Sequence, residues 1–151
     1  MFRSNGRGGM TPSETLFLAA IFAGATLLLF YRFHEGSGED ARRLTIDRMN
    51  ALMTGLQNFA IDNAGGFPTS DQGLKALLAK PTGEPAPRDW RGPYVSGAEV
   101  LSDAWGMPFN YVSPGGKTKC YDLWSNGADK AEGGEGPAAD IQSWDRTTLS
   151  P

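Results

Sequence analysis

The sequence predicts an α+β fold: a long N-terminal helix, apolar in its first half and amphipathic in its second, then a small antiparallel sheet and a loop-rich C-terminus. Three observations carry this. Residues 16–31 read LFLAAIFAGATLLLFY, without a charge. Met49, Leu52, Met53, Leu56, Phe59 and Ala60 repeat at the i, i+3, i+4, i+7 spacing of one helical face. Tyr94-Val95 and residues 109–112 and 120–124 are short strand-like runs, punctuated by Gly106, Pro108, Pro114-Gly115-Gly116 and Asn126-Gly127.

As a helix, the apolar run is roughly 24 Å long. Extended over residues 11–33 it reaches the ~30 Å of a bilayer core. Three readings compete for it. A removable secretory signal would use Arg3 and Arg7 as its basic start and Gly36-Ser37-Gly38 as its cleavage site, but Arg32, His34 and Glu35 intervene. A buried helix that is apolar all round needs a larger surrounding core than the rest of the chain offers. A retained anchor over residues 10–33 fits best, with the N-terminus in the cytoplasm beside Arg3 and Arg7. Thr11-Pro12-Ser13-Glu14 reads as a capping box at its start, Glu14 reaching back to the Thr11 amide. A carboxylate at the edge of lipid is costly unless it is paired.

Gly36-Ser37-Gly38 is expected to weaken or break the helix. Residues 34–64 then form the amphipathic part, with Arg42, Arg43, Asp47, Arg48, Asn50 and Gln57 largely outside the apolar stripe. Ala64-Gly65-Gly66 and Pro68 end it. Residues 65–151 form the globular part. In it Thr69-Ser70-Asp71 caps a second, short helix through Leu74, Leu77 and Leu78, and Pro81, Pro85 and Pro87 mark an irregular loop.

Composition removes several function classes. The chain has 151 residues, room for one domain, and a formal net charge of −3, which argues against nucleic acid as a partner because phosphate contacts need a basic face. A single Cys excludes an internal disulfide or a Cys-rich zinc site, and a single His excludes a multi-histidine centre. There is no Gly-x-Ser-x-Gly elbow and no Walker loop, so an enzyme is not expected. A hydrolase using Asp122 with Asp129 has only the carboxylates themselves in its favour. Trp90, Trp105, Trp124 and Trp144 are expected to anchor loops and core rather than to form a ligand platform. Cys120 is expected as a buried small hydrophobe, and His34 as a polar residue at the membrane interface.

Asp129, Glu132, Glu135 and Asp140 share a loop with Gly133, Gly134 and Gly136. Its spacing is not that of an EF-hand. It reads either as a solvated acidic turn or as a hard-cation site in which glycines turn carbonyls inward beside carboxylates.

Two sets of motifs resemble one family. Gly9-Met10-Thr11-Pro12-Ser13-Glu14 looks like the processing site of type IV prepilins and pseudopilins: a short basic leader ending in Gly, and a Glu fifth after the cut. Gly65-Gly66-Phe67-Pro68-Thr69-Ser70-Asp71-Gln72-Gly73-Leu74, Lys80-Pro81-Thr82-Gly83, Trp90-Arg91-Gly92-Pro93-Tyr94, Asp103-Ala104-Trp105-Gly106-Met107-Pro108-Phe109-Asn110-Tyr111 and Tyr121-Asp122-Leu123-Trp124-Ser125-Asn126-Gly127-Ala128-Asp129 are similar to the major pseudopilins of type II secretion systems. Gly133-Gly134-Glu135-Gly136, Ala139-Asp140-Ile141 and Trp144 follow at that family's spacing.

The resemblance implies a pilin-like fold and a structural role. Residues 1–9 would be a leader removed by a prepilin peptidase, which cuts after Gly9 and methylates Met10. Glu14 would pair with the N-terminal amine of a neighbouring subunit during assembly, each charge lowering the other's desolvation cost. The chain would wait in the bacterial inner membrane with its globular part in the periplasm. From there it would polymerise with copies of itself and with minor pseudopilins on an inner-membrane secretion platform, promoting export of folded proteins across the outer membrane. One calcium ion would sit in the acidic loop, taking the Asn126 backbone carbonyl, the Asp129 side chain and Asp140. Lys130 stands where many members have Gly. The alternatives are a type IV pilin or minor pseudopilin, and a single-pass anchored periplasmic binding domain.

Overall fold

The computed structural model describes residues 12–149, and for residues 30–37 the helical backbone alone. The chain divides between Ser37 and Gly38 into two compact units. One helix, α1 (Pro12–Asp62), contributes to both.

In the first unit, Pro12–Leu29 is long and apolar enough to cross a membrane, and none of it is buried. Leu16, Phe17, Ile21, Phe22, Leu27, Leu28 and Leu29 all face outward. The two threonines of this stretch are internally satisfied. Thr15 donates to the Pro12 carbonyl at 2.8 Å and Thr26 to that of Phe22 at 2.7 Å, so the hydroxyls add little to the cost of entering lipid.

The expected break at Gly36-Ser37-Gly38 is absent: α1 stays helical through all three residues. Gly38 has a packing role instead. A Cβ there would lie 2.8 Å from Cγ of Pro137, so only glycine lets that ring approach the helix.

In the second unit the predicted stripe is the core. Met49, Leu52 and Leu56 are fully buried, Phe59 and Ala60 nearly so, and Met53 packs against their edge. Complete burial of each such side chain contributes about 1.5–3 kcal/mol. Opposite them lie Leu74, Leu77, Val95, Val100, Phe109, Leu123 and Ile141.

The sheet is antiparallel, in the order β1 (Asn110–Val112), β2 (Asp122–Ser125), β3 (Ile141–Gln142). Tyr111 pairs with Leu123, and Ser125 with Ile141. β2 is central and sends Leu123 into the core. Two expected runs correspond to β1 and β2. Tyr94-Val95 does not form a strand: the Tyr94 amide donates to the Leu77 carbonyl at 2.7 Å and Val95 fills the core from a loop. The second helix shrinks to a 3-10 turn, Leu74–Leu77, entered through Gly73 with no side-chain cap. Thr69 and Gln72 brace the turn before it with reciprocal hydrogen bonds of 3.1 and 3.2 Å. Cys120 is exposed rather than buried, because β2 begins only at Asp122. The tryptophans anchor as expected: Trp90 donates to the Ala76 carbonyl at 2.9 Å, Trp105 packs on the core, and Trp124 meets Trp144 edge-on at 6.0 Å.

Helix α1 ends with the Gly65 amide on the Ala60 carbonyl at 2.7 Å, which places Ala64, not glycine, in the left-handed region at φ 57°. An L side chain pays for that conformation sterically, so Ala64→Gly is expected to stabilise the unit by about 1 kcal/mol. A urea titration should show a higher midpoint with an unchanged slope.

Candidate functional site

The loop 126–140 joins β2 to β3, and the Ser125–Ile141 pair closes its base. Its first residues are fixed from below. Ser125 Oγ donates to Asp103 Oδ2 at 2.7 Å and accepts the Gly127 amide at 3.2 Å. The other oxygen of Asp103 accepts the amides of Trp105 (3.0 Å) and Met107 (2.8 Å). Helix α1 holds this turn in place. Arg48 donates to the carbonyls of Ser102 and Asp103, both at 3.0 Å, and Thr45 Oγ1 accepts the Ala104 amide at 3.1 Å. Asp103, Ser125 and Thr45 are all buried, so each polar atom needs its partner.

The loop folds back on itself. Gly127 (φ 67°) and Gly134 (φ 82°) both pass so close to Ala138 that a Cβ on either would lie 2.5 Å from its carbonyl oxygen. The Ala128 amide donates to the Pro137 carbonyl and the Asp140 amide to the Gly133 carbonyl, each at 3.1 Å.

The three residues expected to hold a cation are placed as follows. Asp129 is exposed, and its Oδ1 accepts the Ala131 amide at 3.1 Å. Asp140 Oδ2 accepts the Gly133 amide at 3.2 Å and the Gln142 side-chain amide at 3.4 Å. Asp140 Oδ1 and Asn126 Oδ1 are buried and have no hydrogen-bond partner. An unmet buried acceptor costs about 1–3 kcal/mol, so two such oxygens in one loop suit the oxygen-only chemistry of Ca²⁺. Among the described residues no three His, Cys, Asp or Glu side chains converge on one point. A cation here would therefore draw on carbonyl and amide oxygens beside its carboxylates. Asp140 also borders an open cleft of about 370 Å³, shared with Lys117, Trp124 and Trp144. Lys130, at φ 62°, takes a left-handed conformation that suits glycine.

Asp122 is a structural carboxylate. It accepts the amides of Gly116, Lys117 and Thr118 at 2.7, 2.7 and 2.8 Å. Burial alone would push its carboxyl up, but these donors and the Thr118 hydroxyl outweigh it and hold the carboxyl below the ordinary 3.8. A lowered carboxyl contributes stability above its unfolded value and loses it as pH falls through the folded one. Acid unfolding below about pH 4 should therefore be blunted in Asp122→Asn, which is less stable than wild type at neutral pH and converges with it in acid. Urea midpoints at several pH values check this.

Glu14 lies in the first turn of α1. Gly9 and Met10, and with them the expected cleavage and methylation, lie outside the described residues. No motif or spacing in the sequence marks Ser125, Thr45, Arg42 or Arg48 as supports of the loop. Asp103 carried a signal, since an Asp three residues before a Gly marks a turn, and Gly106 takes φ 81° there.

Residues 34–144 match the family model described as Type II secretion system (T2SS), protein G. Among curated relatives, the Type II secretion system core protein G of Pseudomonas aeruginosa is 39% identical over 112 residues, 72% of this chain and 76% of the relative. That of Vibrio cholerae is 45% identical over 95 residues, 62% of each chain. Among solved structures, the major pseudopilin from the type 2 secretion system of enterohaemorrhagic Escherichia coli superposes with a TM-score of 0.57. It is 30% identical and covers 72% of this chain and 90% of its own.

Proposed function

Since the chain belongs to the protein G family of the type II secretion system, we propose that it is the major pseudopilin of such a system, a structural subunit and not an enzyme. The observation that carries this is the pairing of an unburied apolar helix with a small pilin-like α+β domain. An apolar surface of that extent is stable only in lipid or against other copies of itself. The subunit is anchored in the inner membrane with its folded part in the periplasm. The apolar helices pack together when it polymerises, and the growing pseudopilus promotes export of folded proteins across the outer membrane. Its partners are copies of itself, minor pseudopilins, the prepilin peptidase and the inner-membrane platform. The peptidase cuts after Gly9 and methylates Met10, and Glu14 pairs with a neighbour's amine. The test is the N-terminal sequence and intact mass of the chain from native membranes. A methylated Met10 start supports this reading, and a chain that retains Met1 to Gly9 contradicts it.

The loop 126–140 takes one calcium ion, held by the Asn126 carbonyl, Asp129 and Asp140. The support is the unmet buried Oδ1 of Asp140; the unmet oxygen of Asn126 is its side-chain Oδ1, a second oxygen beside the backbone carbonyl expected as ligand. When bound, the ion supplies charge neutralisation and cross-links the loop. Asp129→Ala should lower the melting temperature in calcium and leave that of the chelated protein unchanged. Equal melting of variant and wild type in calcium would sink the assignment.

A further inference from the structure

The peptide unit between Ala139 and Asp140 is held on both sides. Its N–H, on Asp140, donates to the Gly133 carbonyl at 3.1 Å. Its carbonyl, on Ala139, accepts Nη1 of Arg42 at 3.0 Å. The second arm of the same guanidinium, Nη2, reaches the Thr148 carbonyl at 3.1 Å. Thr148 is in turn tied to β3, accepting the Gln142 amide at 3.0 Å. One turn before Arg42 on α1, Gly38 opens the space that Pro137 fills. Helix α1 thus offers a seat for residues 137–139 and a two-pronged latch over residues 139–148. Only a planar fork can supply two such donors at fixed spacing.

We propose that Arg42 is a positioning residue for the candidate cation site, holding Asp140 so that binding of the ion and docking of the loop on α1 strengthen each other. This rests on the calcium reading above. Asp140 carries an unmet buried oxygen next to the latched peptide unit. If the latch is lost, the ion must itself order that peptide unit when it binds, and affinity falls by that cost. The coupling is reciprocal, so a bound ion must also shift the latch toward its closed state.

The sign of the effect separates this role from simple charge. Arg42 is a cation, and if it acted only through its field, removing it would tighten binding of another cation. The latch requires the opposite. Calcium titration calorimetry on the full-length chain in detergent micelles, for wild type, Arg42→Gln and Arg42→Lys, reads it directly. Loss of a residue that orients a metal ligand weakens affinity by about 10–100-fold, and Arg42→Gln should fall in that range. Arg42→Lys keeps the charge but not the fork and should also weaken binding; it serves as the sole variant if Arg42→Gln does not fold. Amide exchange in the chelated proteins should be faster at Ala138 to Ile141 in the variants, and unchanged at Leu52 and Leu56. Wild-type binding with unchanged or tighter binding in the variants would overturn the proposal while leaving the calcium assignment standing. Absence of binding in wild type itself would remove both, and is read from that trace alone.

Discussion

Asp103→Ala is expected to destabilise the folded unit by about 4–5 kcal/mol or more, since hydrogen bonds to a charged group contribute about 1.5–3 kcal/mol each and three donors lose their acceptor together. Those donors are the Ser125 hydroxyl and the amides of Trp105 and Met107. Asp103 is 2% exposed, so water cannot replace it without opening the turn. A small domain has about 5–15 kcal/mol in total, so this loss is a large part of the whole. Asp103→Asn keeps one acceptor oxygen and can donate to Ser125 from its amide, and should cost less than half as much. Urea titrations of the three proteins, followed by tryptophan fluorescence, measure the difference. Equal losses in the two variants would mean that charge, not the pattern of acceptors, holds the turn.

Gly127→Ala is the second large effect. The added Cβ would meet Ala138 O at 2.5 Å, Ala138 C at 2.7 Å and Ala139 O at 3.0 Å, all backbone. None of these can rotate away, as the end of a side chain could. The left-handed φ of 67° adds its own cost. Conformational strain of about 1–2 kcal/mol and overpacking of about 1–3 kcal/mol together predict a loss of about 2–5 kcal/mol. Gly133→Ala is the internal control. Its φ is +96°, but nothing lies within 4 Å of the new Cβ, so only the conformational part applies. Thermal melts followed by near-ultraviolet circular dichroism should therefore rank wild type, Gly133→Ala and Gly127→Ala in that order. The Trp124–Trp144 pair beside the loop supplies a local signal.

What the sequence made legible was what periodicity and turn chemistry encode. The face of α1 from Met49 to Ala60 could be read because one buried stripe imposes its own spacing. β1 and β2 were found within two residues, because Gly and Pro mark the turns on either side. β3 was not found: Ile141-Gln142 is too short to carry a period, and its pairing depends on the loop returning to Ser125. Gly36-Ser37-Gly38 does not break the helix, for a physical reason. Glycine lowers helix propensity by about 1 kcal/mol, but propensity yields to tertiary contact, and at Gly38 the missing side chain is what Pro137 needs. Ala64 and Lys130 show the converse, since both hold a left-handed backbone without the glycine that would announce it.

The candidate site was half legible. Its acidic and glycine residues stand together in the sequence, but the unmet buried Oδ1 atoms of Asn126 and Asp140 could not be read from it, and on Asn126 that atom is not the backbone carbonyl expected as ligand. Its supports do not stand together. Thr45, Arg48, Asp103 and Ser125 are far apart in the chain and meet only once α1 packs on the sheet. Arg42 reads as a solvated charge on the polar face of a helix, and only the return of residues 139–148 gives its two prongs their carbonyls. Side chains that act on backbone groups of distant segments leave no spacing to find.

If this chain is the main structural subunit of a secretion pseudopilus, export fails without it. The most direct test of that role is the distribution of exported proteins between periplasm and medium in cells that have lost this gene, with and without the wild-type copy restored. Folded exoproteins should accumulate in the periplasm of the deletion strain, restoring wild type should return them to the medium, and Glu14→Leu should not. Normal export without the chain would contradict that role.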